Sequence, residues 1–389
     1  MITVNEAKKL VYSKAKPFRA IWMPLINAAG MVTAEDIVSA IAMPSFTQSS
    51  MDGYAIQLNS INAIMPIQDE LPAGSSRKLE LKNGYAIKVF TGGPVPTGAD
   101  CVIQKEWVTN FGDSIQVIQK TDEQGLNIRA IGSSVEIGDL VIAKGTCLHP
   151  YQLAMLASLG IGEVLVYPAP SITLIITGNE LVKPGELLGF GQVYESNSIG
   201  LASALKSVGI TNLSILYVKD NLAETATAIR NALGQSDLIL LTGGVSVGDY
   251  DYVAEACNLE GVHTVFHGVK QKPGKPLFFG TYQEKLVFGL PGNPSSVLHC
   301  FQQYVKPAIE TIEGKQPIAS IKAQLMEPFN KKLGLDFFLK AFYKDGMVSI
   351  LAAQASYQVG AFSNANCWIE LPSDQSFFHK DQLVIVHLF

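Results

Sequence analysis

Short apolar runs and glycine-rich loops alternate through the middle of the chain. The apolar runs 171–176, 237–241 and 286–290 lead directly into glycine-containing loops at 177–180, 242–249 and 291–294. Runs of this length bounded by glycine predict buried strands. Between and around them, helical patterns lie near 199–208, 222–233, 253–258 and 295–312. The alternation predicts a doubly wound α/β domain, whose parallel strands end at one edge where ligands bind.

The pattern changes on both sides of this segment. Apolar positions up to about residue 39 recur at helical spacing and predict one or two helices, and 151–159 predicts another, ended by Gly160. Short apolar runs separated by tight turns predict β-rich structure elsewhere. We therefore predict a helical and mixed N-terminal domain (1–39 with 134–167), a β-rich inserted domain (40–133), the α/β domain (168–315) and a small, barrel-like C-terminal β domain (316–389).

Composition and charge narrow the class of protein. The 389 residues are 48% apolar and 16% charged, with a net charge of -5, so no general basic field indicates nucleic-acid binding. The polar start does not resemble a signal peptide, and no apolar run approaches the length of a membrane span. The five cysteines are scattered and form no C-x-x-C pair. We expect a cytoplasmic protein with no nucleic-acid or membrane partner.

The glycine loops predict a site for an anionic small molecule. Glycine lets backbone N–H groups approach a ligand closely, and helix N-termini favour anions. Lys272 and Lys275 add two cations in a loop stiffened by prolines, although a solvated basic turn has the same composition. The loop Pro291–Pro294 opens a helix but matches neither a P-loop nor a dinucleotide-binding pattern.

Acidic residues follow the predicted strands at the same edge. Glu180, Asp220, Asp249 and Asp251 lie at or after strand ends, where empty carboxylates would repel one another. A hard cation such as Mg²⁺, bridged to phosphate oxygens, would relieve that repulsion. A single acid of this kind could instead cap a helix, but the shared edge favours a site.

Other candidate groups have ordinary structural explanations. Asp52 precedes Gly53 and could project into a cleft, although Asp-Gly turns are common. Thr91 begins a glycine–proline loop that could present donors to an oxyanion or could simply connect two strands. His263 and His267 flank a strand without a third ligand nearby, which disfavours a metal site.

Seven motifs in order give the chain a family resemblance. They are S-x-M-D-G-Y-A, T-G-x-P-V-P-x-G-A-D, G-x-N-I-R, T-G-x-E-L, G-G-V-S-V-G-D-x-D-Y, K-P-G-K-P and L-P-G-N-P. The set resembles the molybdopterin molybdenumtransferase family, MoeA and the gephyrin E domain, over nearly the whole chain. The resemblance implies that the α/β domain is the molybdopterin-binding domain of a dimeric, four-domain enzyme. It also implies a cleft between the α/β domain of one subunit and the β-rich domain of the other.

The resemblance implies a reaction and a set of site residues. The family converts adenylylated molybdopterin and molybdate into molybdenum cofactor and AMP with a divalent cation, usually Mg²⁺, and a related adenylyltransferase is an expected partner. The implied catalytic residues are Asp52, Thr91, Glu180, Asp220 and Asp251, with Glu180 and Asp251 expected to hold most of the cation. The residues expected to bind substrate are Arg129, Gly243, Gly244, Ser246, Lys272, Lys275, Pro291, Gly292, Asn293 and Pro294.

Several positions depart from the family pattern and keep alternatives open. The family prefers acids at positions 133–134 and aspartate at positions 179 and 195, and it prefers arginine at two positions near Gly334; this chain has Ser133, Ser134, Asn179, Glu195, Leu335 and Lys340. The changes leave open a non-catalytic scaffold that binds molybdopterin, or a variant that prefers tungstate. The related adenylyltransferase alone would leave the flanking motifs unexplained.

Overall fold

The chain folds into two compact units. A computed structural model describes residues 1–245, 252–316 and 320–389. The first unit comprises Met1–Met23, Asn27–Ala34 and Leu165–Phe389, and the second comprises Pro24–Ile26 and Glu35–Val164. The predicted division into four domains remains a prediction. Within the described ranges, no helix has both the length and the apolar character needed to cross a membrane.

The first helix, α1, spans Val4–Lys14 and is capped at its start. Thr3 Oγ1 accepts a hydrogen bond from the Glu6 N–H, and the Thr3 N–H donates to Glu6 Oε2 at 2.8 Å, which satisfies two N-terminal donors. Three short strands follow, β1 (Ile21–Pro24), β2 (Val32–Thr33) and β3 (Ile37–Val38). The prediction of helix up to residue 39 is therefore wrong beyond Lys14.

That error has a tertiary cause. Val32 and Thr33 pair antiparallel with Tyr167 and Val166, so a partner distant in sequence fixes an extended conformation. Helical spacing of apolar residues is a local signal, and pairing with a distant strand can override it.

The second unit is rich in strands, as the sequence predicts for 40–133. Its further elements are β4 (Gln48–Ser49), β5 (Gly53–Ile56), β6 (Ile64–Leu71), β7 (Ala86–Val89), β8 (Cys101–Gln104), β9 (Val108–Asn110), β10 (Ser114–Val117), β11 (Ile128–Arg129), β12 (Leu140–Ile142) and α2 (Pro150–Ser158). Strand β13 (Glu163–Tyr167) carries the chain into the first unit. Six strands form one sheet in the order β8-β5-β7-β6-β10-β9.

The predicted α/β domain is present in the first unit. Its elements are β14 (Ile172–Thr177), β15 (Leu181–Val182), β16 (Val193–Tyr194), α3 (Asn197–Ser207), β17 (Leu213–Val218), α4 (Leu222–Gln235), β18 (Leu238–Thr242), α5 (Val253–Leu259), β19 (His263–His267), β20 (Gln271–Lys272), β21 (Phe278–Tyr282), β22 (Lys285–Leu290), α6 (Pro294–Cys300) and α7 (Lys306–Ile312). A π-helical turn over Phe301–Val305 joins the last two helices. These elements confirm the predicted strands and helices.

The main sheet has helices on both faces. Its order is β17-β14-β18-β22-β21-β19, with β17, β14, β18 and β22 parallel and β21 reversed. Along β14, Leu174 and Ile176 pack with α1, α3 and α6, whereas Ile175 packs with α4 and α5. Successive side chains of a strand point to opposite faces, so every residue of this central strand is buried.

The C-terminal residues form a closed barrel. This segment contains seven strands: β23 (Ile321–Leu325), β24 (Phe329–Asn330), β25 (Asp336–Lys344), β26 (Met347–Ile350), β27 (Cys367–Leu371), β28 (Phe377–Phe378) and β29 (Leu383–Leu388). The ladder β25-β26-β23-β29-β27 closes because β27 also pairs with β25. Closure removes unpaired edges, and the predicted barrel-like domain is confirmed.

Candidate active site

Asp52 and Thr91 form a hydrogen-bonded pair in the second unit. Asp52 Oδ1 accepts from the Thr91 N–H and from Thr91 Oγ1, each at 2.9 Å. These two bonds lower the pKa of Asp52, and the charge of Lys105, whose Nζ lies 3.9 Å from Asp52 Oδ2, acts in the same direction. The Asp52 side chain is 45% exposed. An ionised carboxylate is therefore held at the surface in a fixed orientation.

Gly53, the residue after the acid, begins β5 and has no room for a side chain. A Cβ at Gly53 would lie 2.0 Å from the carbonyl oxygen of Ile103, because β5 and β8 pair closely at this point. The same pairing brings Lys105, just after β8, next to Asp52, whose backbone oxygen accepts from the Lys105 N–H at 3.1 Å. Sequence reasoning missed Lys105, because only strand pairing places it there.

Arg129 lies in a groove of the same unit. It is exposed at the end of β11, whose backbone pairs with β4. A cavity of about 580 Å³ is lined by Arg129, Gln48, Ser133, Ser134 and Ser158, among others. Ser133 and Ser134, which replace the family's acids, thus line the same cavity as the Arg129 guanidinium. Their hydroxyl groups can donate hydrogen bonds to an anion, whereas carboxylates would compete with it.

The glycine loops of the α/β sheet lie against one another at its carboxyl edge. Gly243 has a φ of +89°, and a Cβ there would lie 2.6 Å from the Thr177 oxygen, so glycine is required. A Cβ at Gly292 would lie 3.7 Å from Gly243 Cα. Asn197 Nδ2 donates to the Gly292 oxygen at 2.8 Å. The loops after β14, β18 and β22 therefore meet, with Gly244 beside them at a φ of +59°.

The loops that carry Glu180 and Asp220 are joined by Asn179. Glu180 is exposed after β14, and Asp220 is half-buried after β17. The Asp220 N–H donates to Asn179 Oδ1 at 3.3 Å. Asparagine at a position where the family prefers aspartate thus supplies a neutral acceptor between the two acids.

A metal centre is not completed by the described carboxylates. Ser246, Asp249 and Asp251 lie outside the described residues. Among the residues that the structure does describe, no three or more His, Cys, Asp and Glu side chains form a group that could hold a metal ion. His263 and His267 accordingly form no such group. The His267 ring instead contacts the Val245 oxygen through Nε2 at 2.8 Å, beside the loop after β18.

Lys272 ends the short strand β20 and Lys275 follows three residues later, between β19 and β21; residues 272–275 are called the lysine loop below. Strand β19 runs parallel to β22, because both are antiparallel to β21, so this loop is at the carboxyl edge. Both lysines are exposed. Lys272 Nζ lies 5.2 Å from the centroid of the Phe337 ring, a distance at which a cation is attracted to the ring face.

The loop Pro291–Pro294 joins β22 to α6 and contacts the C-terminal segment that forms the barrel. Pro294 occupies the first turn of α6, where the missing N–H costs no helical hydrogen bond. Asn293 Nδ2 donates to Ser356 Oγ at 3.1 Å. Pro291 is buried, whereas Gly292 and Asn293 are exposed. Ser356 is a further candidate site residue, and only the fold of the barrel brings it to this loop.

Two departures from the family pattern have structural roles. Glu195 is buried and accepts hydrogen bonds from the N–H and the hydroxyl of Ser198, so it caps α3. Lys340 is buried in the barrel, where Nζ donates to the Gln358 oxygen at 2.7 Å. Burial lowers the pKa of Lys340. Neither side chain is free to contact a ligand in this arrangement.

Comparisons with known proteins decide the family. Residues 2–160 match the model of the MoeA N-terminal region (domain I and II), and residues 173–311 match the "Probable molybdopterin binding domain". The molybdopterin molybdenumtransferase of Haemophilus influenzae is 34% identical over 100% of this chain and 99% of its own length. The chain belongs to the molybdopterin molybdenumtransferase family.

Further members of the molybdopterin molybdenumtransferase family agree over the full length. Molybdopterin molybdenumtransferase 2 of Mycobacterium tuberculosis is 31% identical over 96% of each chain. The crystal structure of the molybdopterin biosynthesis MoeA protein of Pyrococcus horikoshii OT3 superposes with a TM-score of 0.79 at 31% identity, covering 100% of both chains. The motif-based resemblance is confirmed, and the chain is an enzyme of molybdenum cofactor biosynthesis.

Proposed function

We propose that this enzyme transfers molybdenum from molybdate to adenylylated molybdopterin, releasing AMP and the molybdenum cofactor. The observation that carries the proposal is the carboxyl edge of the α/β sheet, where Lys272 and Lys275 lie on one loop and the glycine loops around Gly243 and Gly292 meet. Both substrates carry oxyanions, and ammonium groups and backbone N–H groups are suitable oxyanion donors. The names of the full-length relatives support the same reaction.

The lysines would bind molybdate, and backbone donors would act on the charge that develops as AMP leaves. In the proposed step an oxygen of water or molybdate attacks the phosphorus on the pterin side and forms the new P–O bond, while the bridging P–O bond breaks and its electron pair leaves as negative charge on the oxygen that departs with AMP. Donors fixed in advance stabilise such charge more than mobile ones do. We assign this role to backbone N–H groups near Gly292 and the Gly243–Gly244 turn, and we assign the binding of molybdate to Lys272 and Lys275. Ser246, which lies outside the described residues, is also predicted to bind substrate here.

Asp52 would act as an oriented acceptor. The hydrogen bonds from Thr91 lower its pKa, which makes the carboxylate a weaker base but keeps it ionised. Such a group orients a water molecule or a substrate hydroxyl through a hydrogen bond. Arg129, exposed in its groove, would bind an anionic part of the substrate, and Ser133 and Ser134 would add hydroxyl donors.

A requirement for Mg²⁺ is part of the proposal. The proposed ligands are Glu180 and Asp251, with Asp220 on the neighbouring loop. Carboxylate oxygens suit this hard cation, which when bound would neutralise charge on the adenylate phosphate. The carboxylates among the described residues do not form a complete metal site by themselves. The proposal of Mg²⁺ is therefore supported by the preference of this cation for carboxylate oxygens.

The proposed enzyme is a cytoplasmic homodimer. The predicted site residues are divided between the two compact units, with Asp52, Thr91 and Arg129 in one unit and the lysine and glycine loops in the other. The division is compatible with a cleft formed by two subunits, as the family resemblance implies. The adenylyltransferase that produces the substrate is a proposed partner.

The decisive experiment is a reconstituted turnover. Purified protein is incubated with adenylylated molybdopterin, Mg²⁺ and molybdate, and AMP release and active cofactor are measured together. Molybdate-dependent release of AMP with formation of cofactor is the expected result. Lys275→Ala should raise the molybdate concentration needed for half-maximal rate by about tenfold, as expected for a lost charged hydrogen bond. Lys322→Ala, on the barrel, is the matched control.

Two other outcomes would change the proposal. Tight binding of the adenylylated pterin without turnover, with tungstate also inactive, would favour a non-catalytic scaffold. Turnover with tungstate but not molybdate would identify a tungstate-preferring variant. Asn179, Ser133 and Ser134 motivate both possibilities, because they remove negative charge from predicted site loops.

A further inference from the structure

The loop that carries Lys272 and Lys275 rests on a fully buried amide side chain. Gln271 directly precedes the loop and has no exposed surface. Its Nε2 donates to the carbonyl oxygen of Gly274 at 2.9 Å, which lies between the two lysines in the chain. The Gln271 side chain therefore fixes the middle of the loop from its buried side.

A second buried side chain fixes the first. Tyr304, in the π-helical turn that follows α6, has no exposed surface, and its hydroxyl donates to Gln271 Oε1 at 2.5 Å. One hydrogen bond orients the amide, and the amide then holds the loop. Both ends of the Gln271 side chain are thus satisfied, as a buried polar group requires.

Close packing leaves the loop little room to move. Gly274 has a φ of +82°, and a Cβ there would lie 2.6 Å from Cys300 Sγ and 3.4 Å from His299 Cδ2. Cys300 Sγ is also 3.7 Å from Gln271 Nε2. The Val269 N–H donates to the Lys275 oxygen at 2.9 Å, which closes the base of the loop.

The hydrogen-bond network of Tyr304, Gln271 and Gly274 is fully buried, which needs an explanation. Burying an amide and a hydroxyl is unfavourable compared with apolar side chains of the same shape unless their bonds are made, and such networks specify one arrangement. The only loop atom that Gln271 contacts by hydrogen bond within the described residues is the Gly274 oxygen. The network therefore selects one conformation of the lysine loop.

We infer that Gln271 and Tyr304 are positioning residues for oxyanion binding by Lys272 and Lys275. They touch no reacting atom; the hydroxyl of Tyr304 orients Gln271, and Gln271 fixes the Gly274 carbonyl between the lysines. The inference rests on the proposed function for its ligand, molybdate. It concerns the arrangement of the loop before the ligand binds, which can be measured independently of turnover.

The first test compares three variants in the turnover assay. Gln271→Met keeps the volume of the side chain but removes the donor, and Tyr304→Phe removes only the hydroxyl. We expect each to raise the molybdate KM about tenfold while kcat stays within about twofold, because binding geometry is lost but the lysines remain. Gln303→Met, a buried glutamine one residue from Tyr304, should leave KM unchanged.

The double variant distinguishes a relay from two separate effects. Because Tyr304 acts through Gln271, Gln271→Met with Tyr304→Phe should raise KM no further than Gln271→Met alone. Multiplied effects of the two substitutions would overturn the relay. An unchanged KM in both single variants would overturn the positioning role altogether.

Hydrogen exchange tests the loop without any substrate. In Gln271→Met, amides in a peptide covering 272–280 should exchange about tenfold faster than in the parent protein, a larger increase than in peptides from the other described segments. Gln303→Met should exchange like the parent. If Gln271→Met exchanges faster than the parent but the parent shows no turnover, the positioning role is retained and the proposed function fails. Unaltered exchange in Gln271→Met would overturn the inference even if turnover is confirmed.

Discussion

Thr91 donates two hydrogen bonds to the same oxygen of Asp52, one from its N–H and one from its hydroxyl. The two residues are far apart in sequence, and each begins or borders a turn. Ser49 connects the turns, because its oxygen accepts from the Gly92 N–H at 2.8 Å and its N–H donates to the Gly93 oxygen at 2.9 Å. A glycine–proline loop that could have been a plain connection is thus a support for the acid.

Thr91→Val should raise the pKa of Asp52. The substitution removes the hydroxyl donor and keeps the backbone donor, so the pKa moves upward toward its ordinary value without reaching it. Because the folded-state pKa of Asp52 is lowered, its contribution to stability exists above the unfolded pKa and is lost as pH falls through the folded pKa. In the variant the contribution is smaller, and its loss is complete at a higher pH. A titration followed by carbon NMR of the Asp52 carboxyl measures the change.

The activity of the Thr91 variants provides the matched comparison. Thr91→Ser keeps a hydroxyl and should retain most activity, whereas Thr91→Val should lose about tenfold, the usual effect of losing a hydrogen bond to a charged group. An Asp52 pKa that is equal in Thr91→Val and in the parent would contradict the assigned cause.

Gly53→Ala should destabilise the protein by about 1–3 kcal/mol, because an added methyl group must displace packed backbone. The new Cβ would lie 2.0 Å from the Ile103 oxygen. Gly162→Ala is the control in the same unit, since nothing lies within 4 Å of a Cβ at that position. Urea denaturation of both variants measures the difference, and equal midpoints would disprove the predicted clash.

His299 should make the protein less stable in weak acid. The ring is fully buried beside Phe338 and Trp368, and within the described part of the chain its nitrogens have no hydrogen-bond partner. Burial lowers the pKa of His299, and the charges of Lys8 and His387 add to the effect. His299 is therefore protonated in the unfolded chain at a pH at which it stays neutral in the folded chain. The free energy of unfolding falls as pH drops below the pKa of the unfolded state.

Removing the ring should remove that dependence. The slope should reach about 1.4 kcal/mol per pH unit below about pH 6.5, the ordinary pKa of histidine. Melting temperatures between pH 5 and 7 should fall less steeply for His299→Leu than for the parent. His379→Leu, at an exposed histidine, should follow the parent curve. Parallel curves for His299→Leu and the parent would refute this account.

Glu180→Gln should weaken the proposed dependence on Mg²⁺. The amide has the size of the carboxylate but no charge, so the concentration of Mg²⁺ for half-maximal activity should rise about tenfold or more. Glu186→Gln, on the same exposed segment, is the control. If activity and its Mg²⁺ dependence are both unchanged in Glu180→Gln, the role assigned to Glu180 is wrong.

Local signals were sufficient for the central part of the fold. The run that became β14 is mostly apolar, with two threonines, and is followed by glycine, which is typical of a strand buried on both faces. Helix α4 begins after Asn221, whose side chain caps it by accepting from the Glu224 N–H, and its apolar residues face one side. These elements need little information from the rest of the chain.

Other elements depended on partners far away in sequence. The apolar residues after Lys14 have helical spacing, yet Val32 and Thr33 form a strand because β13 pairs with them. Lys105 carries no motif, and it reaches Asp52 only because β8 pairs with β5. Asn293 and Ser356 meet because the barrel closes beside the α/β sheet within the first unit.

The sequence by itself determined the family, the order of strands and helices in the α/β domain, and the identity of the charged residues that can bind an anion. Those properties follow from composition, periodicity and motif order, which are local or need no geometry. Tertiary structure alone decided that Thr91 would support Asp52, that Glu195 would cap a helix, and that Gln271 would bond beneath the lysine loop. The reason is physical: a hydrogen bond acts only over about 3 Å, and only folding brings distant atoms that close.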